Sequence, residues 1–368
     1  MQQAIELAKQ GVFTTAENPN VGCVLVNNGN IIGKGWHQKP GQGHAEVNAL
    51  ANCRNKELIA GCTAYVTLEP CSHFGKTPPC AQALIDAKVA RVVIGMQDPN
   101  PLVSGRGIKL LNEAGIKTSV GVLQSDAQAL NPGFIKRMVS KKPLVRLKMA
   151  SSIDGKTAMA SGESKWITGP QARSDVQVYR AKSCAILTGA DTVIQDDARL
   201  NVRFQELSLR QPTLAESELR QPKRVIVDTR KRLTSDLALF NIPSDIILVR
   251  IDQNESQNWP NHVTLLTVKE RAGKADLNDL LLKLAELGVN DLWVETGAQL
   301  AGALLEQQLV DELILYQAPK IMANDARGLF DIPQLTTLKD AIPLTIKDVR
   351  RVGDDIKLIA SINNNQTS

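Results

Sequence analysis

The chain has 368 residues, 43% of them hydrophobic and 4% aromatic, with a net charge of +5. That length suits two domains, no run approaches the roughly 18 apolar residues of a membrane span, and Met1-Gln2-Gln3-Ala4-Ile5-Glu6 lacks the basic-then-apolar pattern of a secretory signal. Residues 1–143 carry 15 Lys+Arg against 9 Asp+Glu, so +6, and the remainder 28 against 29, so −1, with no dense basic run and few stacking aromatics; this argues against a nucleic-acid channel. Six cysteines in so long a chain do not make a disulfide scaffold, and the expected compartment is the cytoplasm.

Taken in chain order, the pattern predicts a helix over 2–10, then strands over 21–26 and 30–35 joined by the turn Asn27-Asn28-Gly29. A short helix over 45–50 begins at His44-Ala45-Glu46. A strand over 64–68 delivers Glu69-Pro70-Cys71, and Pro78-Pro79 opens a helix over 80–87, since proline is tolerated at a helix start. A strand over 91–95, a helix over 107–114 and a strand over 117–120 complete a layered α/β unit.

Three histidines, His37, His44 and His73, fall in this stretch; His262 lies far away in a polar loop and reads as incidental. Cys23, Cys62 and Cys184 sit in apolar runs and read as core, Cys53 sits among polar residues and reads as incidental, and Cys71 and Cys80 are flanked by prolines. One imidazole, two thiols and a nearby carboxylate, Glu46, are what a catalytic zinc site with an open fourth position requires, and nucleobase deaminases use this His/Cys/Cys set with a proton-moving Glu. Their cysteines stand two residues apart; here eight residues separate Cys71 from Cys80. Both halves of the motif open helices, where thiolate is favoured, in particular at Cys80.

Lys141-Lys142-Pro143 marks the domain boundary, giving 1–143 and 144–368. Beyond it the pattern predicts strands over 144–149, 184–187, 224–227, 246–249, 263–266, 292–295, 312–316, 344–348 and 356–360. Helices are predicted over 170–181, over 277–287 and from about 297, and 203–221 reads as an irregular polar insertion. The dinucleotide fingerprint G-x-G-x-x-G is absent; Gly297-Ala298-Gln299-Leu300-Ala301-Gly302-Ala303 instead follows a strand and opens a helix, whose free amides suit a pyrophosphate. Small residues in a helix more often mean close packing.

These residues resemble one family over essentially the whole chain, the bifunctional riboflavin-biosynthesis deaminase/reductases. The first half carries the resemblance in Asn18-Pro19-Asn20-Val21-Gly22, His44-Ala45-Glu46, the long Pro70–Cys80 motif, Asp98-Pro99-Asn100-Pro101 and Gly105-Arg106-Gly107. The second half carries it in Ser152-Ile153-Asp154-Gly155-Lys156, Ser164-Lys165-Trp166-Ile167-Thr168, Thr192-Val193 with Asp196-Asp197, Val294-Glu295-Thr296-Gly297 and Ala318-Pro319-Lys320. Lys76, where many relatives have Arg, and Thr296, where a smaller residue is common, depart from the pattern.

The resemblance implies a cytidine-deaminase-like α/β/α domain followed by a dihydrofolate-reductase-like α/β domain, both α/β, with one Zn2+ per chain and NADPH as cofactors. The first domain would hydrolytically deaminate 2,5-diamino-6-(5-phosphoribosylamino)pyrimidin-4-one; the second would reduce the product's ribosyl group to a ribityl chain. By the same transfer His44, Cys71 and Cys80 ligate zinc and Glu46 moves protons, while Asn18, His37 and Lys76 contact substrate. Ser164, Arg180, Leu200, Arg203 and Glu295 become substrate neighbours in the second domain. Ala150, Trp166, Thr192, Asp196, Thr229 and residues 297–303 become neighbours of NADPH. Arg180 and Arg203 suit a phosphate because guanidinium forks match its oxygens. Asp196 and Glu295 compete as proton donor or ribose anchor, and Lys148 is a further polar candidate. The expected partner is a small phosphorylated pyrimidine, in a homo-oligomer, with neither nucleic acid nor membrane. The rival reading is a single-function nucleoside or nucleic-acid deaminase with a C-terminal binding module, which would consume no NADPH.

Overall fold

The computed structural model describes residues 1–72, 78–101, 103–254 and 257–362, and the chain divides into two compact units, Met1–Lys142 and Pro143–Ser368. Among the described residues no helix is long and apolar enough to cross a membrane.

The first unit runs α1 (Gln2–Lys9), β1 (Gly22–Asn27), β2 (Asn30–Trp36), α2 (Ala45–Ala51), β3 (Thr63–Leu68), α3 (Cys80–Asp86), β4 (Arg91–Met96), α4 (Arg106–Glu113), β5 (Lys117–Val120), α5 (Gln124–Ala129) and α6 (Pro132–Ser140). Its sheet has the order β2-β1-β3-β4-β5. β1 is antiparallel to both β2 and β3, whereas β3, β4 and β5 are parallel. Alternate strand residues face one core: Cys23, Leu25, Ala64, Val66, Val92 and Ile94 pack with Ala45, Ala49, Ala81, Leu84 and Leu111 of α2, α3 and α4. Leu68, Met96, Ala127 and Phe134 form a second cluster with α5 and α6. Gly35 on β2 lets α2 approach closely, since a Cβ there would lie 2.3 Å from the Ala49 nitrogen. Cys53, expected to be incidental, is 2% exposed and belongs to the main core; its polar neighbours in sequence hid the inward direction of its own side chain.

The second unit runs β6 (Leu144–Ser152), β7 (Lys156–Ala158), α7 (Pro170–Lys182), β8 (Ala185–Gly189), α8 (Ala190–Asp196), α9 (Phe204–Ser208), β9 (Lys223–Val227), β10 (Ile246–Arg250) and β11 (Val263–Thr267). It continues with β12 (Glu270–Arg271), β13 (Lys274–Ala275), α10 (Leu277–Glu286), β14 (Asp291–Glu295), α11 (Ala298–Glu306), β15 (Glu312–Ala318), β16 (Arg327–Gly328), β17 (Leu344–Val352) and β18 (Asp355–Ile362). The sheet order is β11-β10-β9-β8-β14-β6-β15-β18-β17, while β12 pairs with β13 and β7 with β16. From β11 to β15 every pairing is parallel; β18 is antiparallel to β15 and β17. Both faces are covered, as a parallel sheet requires. On one face Val145, Leu147, Leu187 and Val294 pack against Leu277, Leu280, Leu284 and Leu304; on the other Ile186, Trp293, Ile314 and Tyr316 pack against Ala172, Val176 and Val193.

Residues 203–221 are not wholly irregular. They hold α9, whose Leu207 is fully buried, and Glu206 carbonyl oxygen accepts Ser174 Oγ–H on α7 at 2.7 Å. α5, α6 and α8 were also absent from the predicted elements; they are short, and docking rather than propensity fixes such helices.

Candidate active sites

In the first unit two helix starts and one strand end converge. His44 is the N-cap of α2, Cys80 the first residue of α3, and Cys71 follows the end of β3. The ligand atoms of His44, Cys71 and Cys80 all lie within 4.8 Å of one another. His44 Nδ1 is 3.2 Å from Cys80 Sγ and 3.6 Å from Cys71 Sγ, and the Cys80 amide donates to Cys71 Sγ at 3.2 Å. One imidazole nitrogen and two thiols at this mutual spacing fit a zinc ion, which takes nitrogen and sulfur at about 2.0–2.3 Å in a tetrahedron.

Glu46 lies in the first turn of α2 and is 3% exposed. Burial, with Cys71 beside it, pushes its carboxyl up to about 7. The thiols share their protons unequally. The bond with Cys80, together with His44, holds Cys71 down at about 4, whereas the bond with Cys71 and burial push Cys80 up. The side-chain bond between the two thiols places the anionic character expected at Cys80 on Cys71, which also accepts the Cys80 amide at the start of α3. Asn18 Nδ2 is 3.0 Å from His37 Nε2, and the His37 ring meets the His44 ring edge-on at 5.4 Å. His37 is 3% exposed, not a solvated surface residue, and burial lowers its pKa. Lys76 and His73 lie outside the described residues.

In the second unit the candidate residues gather at the C-terminal ends of adjacent parallel strands, where α/β sheets open a crevice for ligands. Ala150 lies on β6, Glu295 ends β14, Thr192 and Asp196 lie on α8 directly after β8, and Thr229 follows β9. Gly297 is the N-cap of α11. A Cβ at Gly297 would meet nothing within 4 Å, so its backbone is open to an approaching group. Ala301 and Gly302 differ: Ala301 is fully buried, and a Cβ at Gly302 would lie 2.1 Å from the Asp331 carbonyl oxygen. At these two positions close packing, rather than an open face, explains the small residues.

Ser164 and Trp166 lie on the connection from β7 to α7, with Trp166 63% exposed. The Arg173 guanidinium sits 4.7 Å from the Trp166 ring centroid, and Lys320 Nζ donates to the Trp166 carbonyl at 2.8 Å. Lys165 Nζ lies 3.4 Å from Asp196 Oδ1, so Asp196 already faces a cation.

Arg180 is buried, and its fork is engaged. Nε donates to Glu295 Oε1 at 2.6 Å, Nη2 to Oε2 at 2.9 Å, and Nη1 to the Asn201 carbonyl at 2.8 Å. It is neither a surface salt bridge nor a fork open to phosphate. Arg203 pairs in the same bidentate way with Glu206, at 2.5 and 2.8 Å, but remains 41% exposed. Leu200 is 4% exposed, so its side chain packs inward. Lys148 stands opposite Glu295 in register; burial lowers its pKa while Glu295 opposes that. Burial alone would raise Glu295, yet Arg180, Lys148 and the Trp293 indole N–H, which donates to Oε1 at 2.7 Å, hold it at about 2. Trp293 also stacks on Tyr179 at 4.7 Å. The sequence reading missed Trp293, although its place two residues before Glu295 on a strand puts both on one face.

Two family models match the chain: the cytidine and deoxycytidylate deaminase zinc-binding region over residues 1–96, and the RibD C-terminal domain over residues 143–358. Riboflavin biosynthesis protein RibD of Escherichia coli (strain K12) is 50% identical over 359 residues, 97% of each chain. The Haemophilus influenzae protein of the same name is 50% identical over 360 residues, 97% of this chain and 95% of the other. Among solved structures, Acinetobacter baumannii RibD, form 2, superposes with a TM-score of 0.89 at 42% identity, covering 98% of this chain and 97% of that one. A diaminohydroxyphosphoribosylaminopyrimidine deaminase/5-amino-6-(5-phosphoribosylamino)uracil reductase from Thermotoga maritima gives 0.85 at 32% identity, with 98% and 97% covered.

Proposed function

Because the chain belongs to the RibD family, we propose that each half houses one active site, built from the residues described above. The protein is a bifunctional riboflavin-biosynthesis enzyme, a deaminase and a reductase, with a cytidine-deaminase-like first domain and a dihydrofolate-reductase-like second. Its cofactors are Zn2+ and NADPH. The substrate proposed for deamination is 2,5-diamino-6-(5-phosphoribosylamino)pyrimidin-4-one, and the product's ribosyl group is then reduced to ribityl.

In the first domain, residues 1–143, His44, Cys71 and Cys80 would hold zinc, which when bound lowers the pKa of a coordinated water toward neutrality. Glu46 would take one proton from the attacking water and pass it to the ring nitrogen, then carry that water's second proton to the amino group, which leaves as ammonia. Its burial suits this, because a carboxyl poised near neutrality can both accept and donate. Asn18, oriented by His37 through the 3.0 Å contact, presents its amide to the pyrimidine edge. Lys76 is assigned to the phosphoribosyl end on the family pattern alone.

In the second domain, residues 144–368, NADPH would supply the hydride when bound, and the protein's task is to hold donor and acceptor carbons in contact. The amides at the start of α11, from Gly297 to Leu300, would hold the pyrophosphate, and Ala150, Trp166, Thr192, Asp196 and Thr229 would line the cofactor site. Glu295, kept ionised by Arg180 and Trp293, is an acceptor that anchors ribose hydroxyls rather than a proton donor. Ser164 and the backbone at Leu200 border the substrate, and Arg203 can swing from Glu206 to its phosphate.

All six cysteines are free, and a thiol-ligated metal site belongs in a reducing compartment, which supports the cytoplasm. The edge strand β17 exposes Leu344, Ile346 and Val349, which supports a homo-oligomer; sedimentation velocity decides it. The observation that carries the reading is the convergence of His44, Cys71 and Cys80 beside buried Glu46. Ammonia release and NADPH consumption, assayed separately on the diaminopyrimidinone phosphate, test it; absence of either activity refutes one half.

A further inference from the structure

Glu69 follows the end of β3 two residues before Cys71 and is 3% exposed. A carboxylate buried this deeply has to be hydrogen-bonded. Glu69 accepts four backbone N–H groups: Oε2 takes Asp98 at 3.2 Å and Gly105 at 3.0 Å, and Oε1 takes Gly107 at 3.0 Å and Ile108 at 3.3 Å. These donors belong to the segment Asp98–Ile108, whose second half opens α4. They include free amides of that helix start, which a negative charge satisfies.

The same segment touches the chain again one residue further on. A Cβ at Gly107 would lie 2.0 Å from the Pro70 carbonyl oxygen, so the start of α4 rests directly on Pro70. Cys71 is the next residue. Its carbonyl accepts the Ala81 amide at 3.1 Å and its Sγ accepts the Cys80 amide at 3.2 Å, both at the start of α3. Residues 69–71 are thus clamped between two helix starts, with Glu69 the grip on one side.

We propose that Glu69 is a positioning residue for the zinc site: its carboxylate fixes the end of β3 against α4 so that Cys71 Sγ stays within reach of Cys80 Sγ and His44 Nδ1. The inference rests on Cys71 being a zinc ligand, and the two fail differently. If Cys71→Ser keeps its zinc, the ligand assignment falls; if Cys71→Ser loses zinc while Glu69→Gln holds it normally, only the role of Glu69 falls.

Glu69→Gln keeps the shape but offers one acceptor oxygen, so two of the four amides lose their partner. Gly107→Ala pushes on Pro70 from the α4 side with no change of charge. Both variants are expected to weaken zinc roughly tenfold or more in chelator competition, the size typical of residues that orient metal ligands. Both should also alter the thiolate-to-cobalt absorption of the cobalt-substituted enzyme and lower kcat for deamination, with reduction by the second unit unchanged. Leu110→Ala, which loosens α4 without touching Glu69, separates positioning from mere helix stability and should leave the cobalt spectrum as in the parent. Unchanged zinc affinity and cobalt spectrum in Glu69→Gln would overturn the proposal, as would the same spectral change in Leu110→Ala. Should Glu69→Gln fail to fold, Gly107→Ala decides by the same readouts.

Discussion

The two units organise chemistry in opposite ways. In the first, the candidate ligands sit where short helices begin, at His44 and Cys80, so the site is written in compact motifs. In the second, the candidates are scattered from Ala150 to Gly297 and meet only because β6, β14, β8 and β9 are neighbours in the sheet though not in sequence. A site made of local motifs can be read from residue spacing; one made by strand order needs the topology first. The electrostatics differ as well. Glu46, 3% exposed and beside Cys71, rises to about 7, whereas Glu295, with its side chain 15% exposed, is gripped by Arg180 and falls to about 2. The neighbours of each carboxyl therefore leave one able to shuttle a proton and keep the other charged.

The largest expected effect lies in the first unit. Cys71→Ser or Cys80→Ser should lose zinc and deamination together while reduction of supplied deaminated substrate continues, as elemental analysis and separate assays would show. Loss of reduction in a folded Cys71→Ser protein would mean that the two units are not independent.

Next comes the buried pair of the second unit. Glu295→Gln leaves Arg180 uncompensated and should cost about 3–5 kcal/mol in denaturant unfolding of that unit. The pH dependence follows the same pair. With a folded pKa of about 2 against an ordinary 4.5, Glu295 contributes stability that is present above pH 4.5 and lost as the pH falls toward 2. Acid titration of parent and Glu295→Gln should converge at the low end of that window.

Two glycines of one helix sharpen the contrast between packing and binding. Gly302→Ala should destabilise by about 1–3 kcal/mol through overpacking against Asp331. Gly297→Val has room for its side chain, should leave thermal unfolding nearly unchanged and should raise the KM for NADPH by blocking the helix start. If Gly297→Val altered only the KM for the pyrimidine, the cofactor is misplaced.

The smallest effect is expected at Arg203. Its fork must leave Glu206 to reach a phosphate, so Arg203→Ala should weaken substrate binding about tenfold, the low end for a charged hydrogen bond, or ~1.4 kcal/mol. An unchanged substrate KM would leave Arg203 with its ion pair alone.

Most strands were legible because alternating or continuous apolar runs such as 91–95 and 292–295 leave little choice, and the zinc motif was legible because cysteine and histidine are scarce here. Less could be read where a partner distant in sequence decides the outcome. Nothing local to Arg180 announces Glu295, 115 residues away, and its guanidinium fork suggested a phosphate. α9 is only five residues long, and docking on α7 gives it its place. Glu69 stood in a recognised motif, yet its four partners lie 29 to 39 residues downstream and are backbone amides, which residue identity does not reveal.

Product analysis of Glu46→Gln tests the central claim of two separate sites most directly. The purified variant, with zinc content verified, is incubated with the diaminopyrimidinone phosphate and NADPH, and in parallel with the deaminated intermediate and NADPH, and the products are weighed by mass spectrometry. The expected result is no ammonia and no deaminated product from the first mixture, and ribityl product at close to the parent rate from the second. Deamination at the parent rate, or loss of reduction in the folded variant, would contradict it.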